Sequence, residues 1–446
     1  MISARILFGF VVLGALLLVA CGGEGEDVVQ PSPAASATPS ATRETTPSAT
    51  PGASPTTATG TTPSDAQAAE VGWVFFLRPP EEPWTPETDY WEQLGRGDLW
   101  MANADGSGEQ QITFGKTNVT FAGFLTTEDG PVLYYTSGDE TTFDLWRKVL
   151  ETGAETKLLS FNGYPYWRGG GPIWPALAAV SPDGRYAALV EVRDVVLADL
   201  ASGERRTLFQ SNHPECEEIN IVSCFSYGRP QWSPDGSLLA VGRGEWESGG
   251  EFIVDPFEPF AQPSGYGPFD IPYVQGQIDW RTSDEACATA AGLDPSGLYL
   301  IQGPDWAFDR EQAEDISGYC PDLGRRCHGW VGGCAWLDDT RIAFRVNPFA
   351  PSGPTRIEVI DVDTREIRTL AQSADEASDT YLIDMFVLRG RGLIIYNRLH
   401  YVAHGDVYHR EQFTTAALIR VADGSHQPIL RERDHVIALV PAARAE

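Results

Sequence analysis

From Val71 onward the apolar positions fall in short β-branched or aromatic runs broken by Gly, Asp and Pro, and none keeps helical spacing for long. The pattern predicts an all-β chain. Two kinds of hairpin recur within it. The first is an apolar anchor, a polar turn and a strand, as in Ala179-Val180-Ser181-Pro182-Asp183-Gly184-Arg185-Tyr186-Ala187-Ala188-Leu189 and Gln231-Trp232-Ser233-Pro234-Asp235-Gly236-Ser237-Leu238-Leu239-Ala240-Val241. Weaker copies begin at Phe124, Trp280, Trp336 and Val387, so that successive anchors lie 56, 52, 48, 56 and 51 residues apart. The second kind runs from Leu99 to Thr113 around Asp105-Gly106 and returns at Leu145–Leu159, Val195–Phe209, Ile357–Leu370 and Ala417–Leu430. Asp-Gly and Ser-Gly supply the positive φ that tight hairpins require. Asp105 is read as a turn residue, because its segment lacks the ligand count and closing acidic residue of a calcium loop.

A first-kind hairpin followed by a second-kind hairpin makes one four-stranded antiparallel blade, and about seven such repeats fit the chain. The predicted fold is a seven-bladed β-propeller, with six blades as the alternative. The Ser-Pro-Asp-Gly inner turns and the Asn-Ala-Asp-Gly-Ser-Gly outer turn resemble those of TolB-like propellers of the WD type. That resemblance spans the folded region, is strongest in the second to fourth blades, and specifies fold far better than function, since members of that family bind many partners and some precede peptidase domains. The first blade lacks an innermost strand, and Val436-Ile437-Ala438-Leu439-Val440 falls one repeat after Val387. The C-terminal strand is therefore expected to close the ring in the first blade, which also removes an open sheet edge.

The N-terminal pattern is different. Arg5 precedes an apolar run from Ile6 to Leu18, of signal-peptide length and too short to span a membrane. Leu18-Val19-Ala20-Cys21 resembles a bacterial lipobox, which implies cleavage before Cys21, diacylglycerol on its sulfur and acylation of the new amino group. Several acyl chains, at roughly 0.8 kcal/mol per buried methylene, anchor a protein where one does not. Residues 22–70 are rich in Pro, Ser, Thr, Ala and Gly and cannot bury a core. The expected organisation is a signal peptide over residues 1–20, a lipid-anchored disordered linker over 21–70 spanning on the order of 40 Å, and a propeller over 71–446. The location is extracytoplasmic, on a bacterial membrane.

Composition narrows the partners. Asp and Glu number 62 against 32 Lys and Arg, a net charge of -30 that argues against nucleic acid and anionic lipid headgroups. Of seven cysteines, Cys21 is assigned to lipid, leaving Cys216, Cys224, Cys287, Cys320, Cys327 and Cys334 for up to three disulfides in an oxidising compartment. Cys216–Cys224, Cys320–Cys327 and Cys287–Cys334 are the preferred pairings. A zinc site there is disfavoured because no CxxC pair occurs.

Blade geometry puts both repeated turns on one face. The opposite face takes the second-to-third loops and the blade-to-blade connections, which read as long and aromatic. Trp84, Tyr90 and Trp91 fall there in the first blade, and Tyr164, Tyr166, Trp167 and Trp174 before the third. Trp246 lies in the fourth, and Trp306 and Trp330 lead into the sixth. Flat rings beside carboxylates stack on sugars or hold cationic side chains, so these are the candidate ligand-binding residues. A loop carrying His400, His404, Asp406 and His409 in the seventh blade is a candidate metal site, although Gly405 and the lack of an HExxH pattern argue for a simple histidine-rich loop. No GxSxG turn, P-loop or dinucleotide fingerprint occurs, and no cofactor is implied. The reading that follows is a monomeric binding or scaffold module for a protein, peptide or envelope glycan. The alternative is a hydrolase or lyase at the central channel, using pairs such as Glu81 with Glu87 or Asp406 with His409.

Overall fold

The computed structural model describes residues 72–442 apart from 83–84, 86–89, 140, 164–176, 193, 211–225, 245–248, 259–270, 273–277, 291–296, 304–314, 319–328, 349–353, 374–379 and 404–409. The expected signal peptide and linker lie outside these residues, and every structural statement below concerns the described ones.

Seven antiparallel sheets form the seven blades of a ring, so the six-bladed alternative falls away. Blade 2 is ordered, innermost strand first, Thr120–Thr127, Gly130–Gly138, Thr142–Val149 and Glu155–Asn162. Blade 3 repeats this with Ala178–Val180, Tyr186–Glu191, Asp194–Asp199 and Arg205–Phe209. In blade 4 the short segments Ser226–Tyr227 and Gln231–Trp232 both pair with Leu239–Gly244, followed by Gly249–Val254 and Ile271–Pro272. Blade 5 contributes Asp279–Thr282, Glu285–Ala290 and Gly297–Gln302. Blade 6 contains Gly329–Trp336, Arg341–Pro348, Arg356–Asp361 and Ile367–Gln372, and blade 7 Thr380–Leu388, Leu393–Ala403, Arg410–Arg420 and Ser425–Pro428. All six anchors from Phe124 to Val387 lie in innermost strands.

Blade 1 is closed as expected. His435–Val440 is its innermost strand and pairs antiparallel with Trp73–Arg78, matching Trp73 with Val440 and Leu77 with His435. Asp98–Asn103 and Gln110–Gln111 complete the sheet.

The core is not one mass but a layer between each pair of neighbouring blades, because each sheet is apolar on both sides. Phe75, Leu77 and Leu99 of blade 1 meet Leu133 and Tyr135 of blade 2. Val74, Phe76 and Val436 on the other side of blade 1 meet Ile395 and Leu418 of blade 7, which makes the circle continuous. Cys287 and Cys334 are disulfide-bonded, the pairing preferred for these two, and the bond ties blade 5 to blade 6.

The repeated turns explain their own sequence. In blade 3 the Ser181 hydroxyl donates to Asp183 (2.5 Å) and accepts from the Tyr186 amide (2.9 Å), while Gly184 takes φ 72°. Ser233, Asp235, Leu238 and Gly236 repeat this in blade 4 at 2.7 Å, 2.9 Å and φ 74°. Short polar side chains that bond their own backbone hold such turns shut. In the outer turn of blade 1, Asp105 accepts from the Ser107 amide and hydroxyl (2.9 and 2.6 Å), consistent with a turn residue.

Candidate binding face

The face opposite these turns is less uniform than expected. In blades 2 and 3 the second-to-third connections are short, spanning only 139–141 and 192–193, because the paired strands run almost to their ends. Among the second-to-third connections the longest is that of blade 1, residues 79–97, within which the chain forms the short helix Tyr90–Gly95. Its buried positions, Tyr90, Gln93 and Leu94, follow helical spacing and face the ring.

Tyr90 is 2% exposed, and its hydroxyl lies 2.5 Å from that of Thr414 in blade 7. It therefore packs and joins blades rather than standing open on the face, the bland role available to any of these rings. Trp91 remains half-buried. It meets Tyr90 edge-on at 5.1 Å and His435 edge-on at 5.8 Å. Trp330 is the second residue of the innermost strand of blade 6. Trp84, Tyr164, Tyr166, Trp167, Trp174, Trp246 and Trp306 lie outside the described residues, as do Cys216, Cys224, Cys320 and Cys327.

Around Trp91 the structure gathers polar groups that sequence reading missed. His435, at the start of the closing strand, places its Nε2 3.4 Å from Asp384 in the innermost strand of blade 7. Burial pushes the imidazole below its ordinary range, against the pull of Asp384, so it is mainly neutral at pH 7. Asp384 accepts a hydrogen bond from Asn397 Nδ2 (3.1 Å) and keeps 39% of its side chain exposed. Asn397 also brackets the closing strand, donating to the Val436 carbonyl (2.8 Å) and accepting from its amide (3.0 Å). Arg345 of blade 6 feels Asp384, and its Nε is buried without a hydrogen-bond partner. These residues are far apart in sequence, in segments with no recognisable motif, so only the ring brings them together.

His400 is not on a loop. Leu393–Ala403 extends through it, and its two ring nitrogens face Thr380 (3.3 Å) and Thr415 (2.9 Å) while the ring stacks on Phe413 at 4.9 Å. A histidine held this way sits as a strand residue within blade 7. His404, Asp406 and His409 lie outside the described residues, and among those described no three His, Cys, Asp or Glu side chains gather in a metal-binding group. Of the proposed acid-base pairs, Glu81 is exposed, and Glu87, Asp406 and His409 lie outside the described residues.

No family model matches the sequence, and no curated protein does either. Solved structures do resemble the fold. A candidate 6-phosphogluconolactonase from Bacteroides fragilis is similar over 85% of this chain and 99% of its own, at 10% identity and a TM-score of 0.50. TolB from Acinetobacter baumannii is similar over 83% of this chain and 67% of its own (12% identity, TM-score 0.41). An oligogalacturonate lyase solved with manganese is similar over 81% and 86% (12% identity, TM-score 0.46). At such identities the likeness speaks for the propeller fold alone.

Proposed function

We propose that this protein is a lipid-anchored, extracytoplasmic propeller of TolB-like character that binds a protein, peptide or envelope glycan through its loop-rich face. The observation that carries the reading is the inequality of the two faces. One is closed by self-bonded Ser-Asp-Gly turns, whereas the other presents the helix bearing Trp91 against His435, whose Nε2 faces the half-open carboxylate of Asp384. A half-buried indole with an imidazole and a carboxylate behind it suits a sugar ring or a cationic side chain. The Cys287–Cys334 disulfide supports an oxidising compartment. The lipid on Cys21 and the linker that follows are part of the proposal, giving the propeller reach from its membrane.

Glycan-array and peptide-library screens with the purified protein test this reading. It expects a ligand whose binding weakens at least about tenfold in Trp91→Ala, the loss of one aromatic anchor. A hit indifferent to that change contradicts the assignment of the face.

A second reading has one observation in its favour, the Asp384–His435 pair at the channel. A carboxylate beside a neutral imidazole is equipped for acid-base work in a hydrolase or lyase. On that reading Asp384→Asn abolishes turnover of a peptide or uronic-acid substrate while leaving binding intact.

A further inference from the structure

Blade 6 sends a charged side chain toward the channel beside Asp384. Along its second strand, Ile342, Phe344 and Val346 enter the layer shared with blade 5, whereas Ala343 enters the layer shared with blade 7. Strand alternation therefore puts Arg345 and Asn347 on the blade 7 side, in the half of the strand nearer the loop-rich face. Arg345 pairs with Gly332 of the innermost strand, and a Cβ built on that glycine would stand 3.0 Å from Arg345 Nη2. Gly332 thus leaves the guanidinium room to lie across the innermost strand and reach the channel wall.

Nothing meets it there. Arg345 is half-buried and its Nε is buried without a partner, and among the described residues no acceptor bonds to the rest of the guanidinium. Asn347, two residues on and on the same side, keeps its Oδ1 buried and equally unmatched. Buried polar atoms of native folds are nearly always satisfied, so two unmatched ones on one side of one strand mark a polar niche. A guanidinium stays charged at neutral pH, and the charge it feels is that of Asp384. The two form no ion pair. Asp384 is turned toward blade 1, where Asn397 and His435 lie against it, and keeps 39% of its side chain open. A carboxylate offers about four acceptor positions, of which Asn397 fills one. A cation and an anion thus share one stretch of channel, each short of partners and held apart by the separate strands that carry them.

We infer that this stretch binds a small zwitterion, an α-amino acid, with its carboxylate on Arg345 and its ammonium on Asp384. A ligand bearing only an acid would set a second negative charge beside Asp384, and one bearing only an amine a second positive charge beside Arg345. A ligand bearing both satisfies each group and leaves no charge unpaired. The inference rests on the proposed reading of the loop-rich face as the binding face, and gives one of its ligands a chemical class.

The test uses the full chain in detergent, at neutral pH and fixed ionic strength, in titration calorimetry and thermal unfolding. Glycine is compared with its half-molecules methylamine and acetate, and L-phenylalanine with phenethylamine and 3-phenylpropionate. At least one amino acid should bind below about 10 mM and raise the melting temperature with concentration, and its half-molecules should bind about tenfold more weakly or worse. Asp384→Asn, which keeps the shape of the side chain, should weaken binding about tenfold or more, as should Arg345→Met, each the loss of a hydrogen bond to a charged group. If Arg345→Met does not fold, Gly332→Ala, whose Cβ displaces the guanidinium, takes its place and should weaken binding about threefold or more. The inference is overturned if neither amino acid binds at about 10 mM, if the acid or the amine alone binds as well, or if Asp384→Asn binds like the parent. An array ligand that depends on Trp91 while no amino acid binds refutes this inference alone. An amino acid that binds while every array ligand ignores Trp91 refutes the wider face and leaves this site standing.

Discussion

Replacing Asp434 by alanine should open the ring where it is joined. Arg78, at the end of the second strand of blade 1, grips Asp434 with two hydrogen bonds, Nε to Oδ1 at 2.8 Å and Nη2 to Oδ2 at 2.6 Å. Asp434 immediately precedes the closing strand, so this clasp sits at the seam. The Arg78 side chain is 12% exposed and that of Asp434 only 1%, so the pair lies largely out of water. Removing one member of a buried pair costs about 3 to 5 kcal/mol, because the other is left charged and unpaired. Here Glu109 still holds Arg78 Nη1 at 3.0 Å, and the guanidinium rests 4.4 Å from the Trp100 ring, which places the loss near the lower end, about 3 kcal/mol. Arg78→Met alone should cost a similar amount. The double variant should lose clearly less than the sum, with a coupling of about 2 kcal/mol. Equilibrium urea unfolding of the full chain in detergent, followed by tryptophan fluorescence, measures all three. Asp434→Ala within 0.5 kcal/mol of the parent, or additive single effects, would refute the clasp.

Further outcomes follow from other parts of the ring. Deleting the residues after Arg433 removes the buried Val436, Ile437 and Val440 and should cost roughly 5 to 8 kcal/mol, much of a domain's stability, seen as unfolding at far lower urea than the parent. Asp279, whose carboxylate accepts the Trp336 amide at 2.7 Å, is pushed up to about 6 by burial. In the fold it ionises above about pH 6 and in the unfolded chain above about 3.8, so it lowers stability at neutral pH and has no effect below pH 4. Asp279→Asn should accordingly stabilise by on the order of 3 kcal/mol at pH 7.5, with the gain fading to nothing by pH 4 in a urea series against pH. Reducing Cys287–Cys334, which closes 47 residues, should cost about 3 to 4 kcal/mol, read from unfolding with and without reductant. Cys21→Ser should move the protein from the detergent phase to the aqueous phase on partitioning, and a variant that stays membrane-bound argues against the lipid anchor.

The fold was legible because a propeller repeats its own instructions. Ser181 and Ser233 make the same hydrogen bonds in successive blades, so the turn could be recognised by its second occurrence, and the spacing of the anchors carried the blade count. Ring closure was legible from a missing strand at Val71 and a spare one at Val436. The site was much less so. Asp384 and His435 meet from separate blades, and Arg345 approaches Asp384 from a third, juxtapositions that leave no local pattern. His400 was misplaced for the opposite reason. Its neighbours look like a polar loop, but Leu393–Ala403 and Arg410–Arg420 pair along their full length, and the hydroxyls of Thr380 and Thr415 make a polar strand position for the imidazole. Tyr90 resembled a face residue in sequence because the hydroxyl that buries it, from Thr414, lies 324 residues away.

The most direct test of the unequal-face account is recovery of the intact protein from its own membrane after mild cross-linking, with Trp91→Ala compared to Glu204→Ala on the turn face. The account predicts a specific partner or glycan that falls about fivefold or more with Trp91→Ala and is retained with Glu204→Ala. Equal recovery by both variants, or loss only with Glu204→Ala, would contradict it.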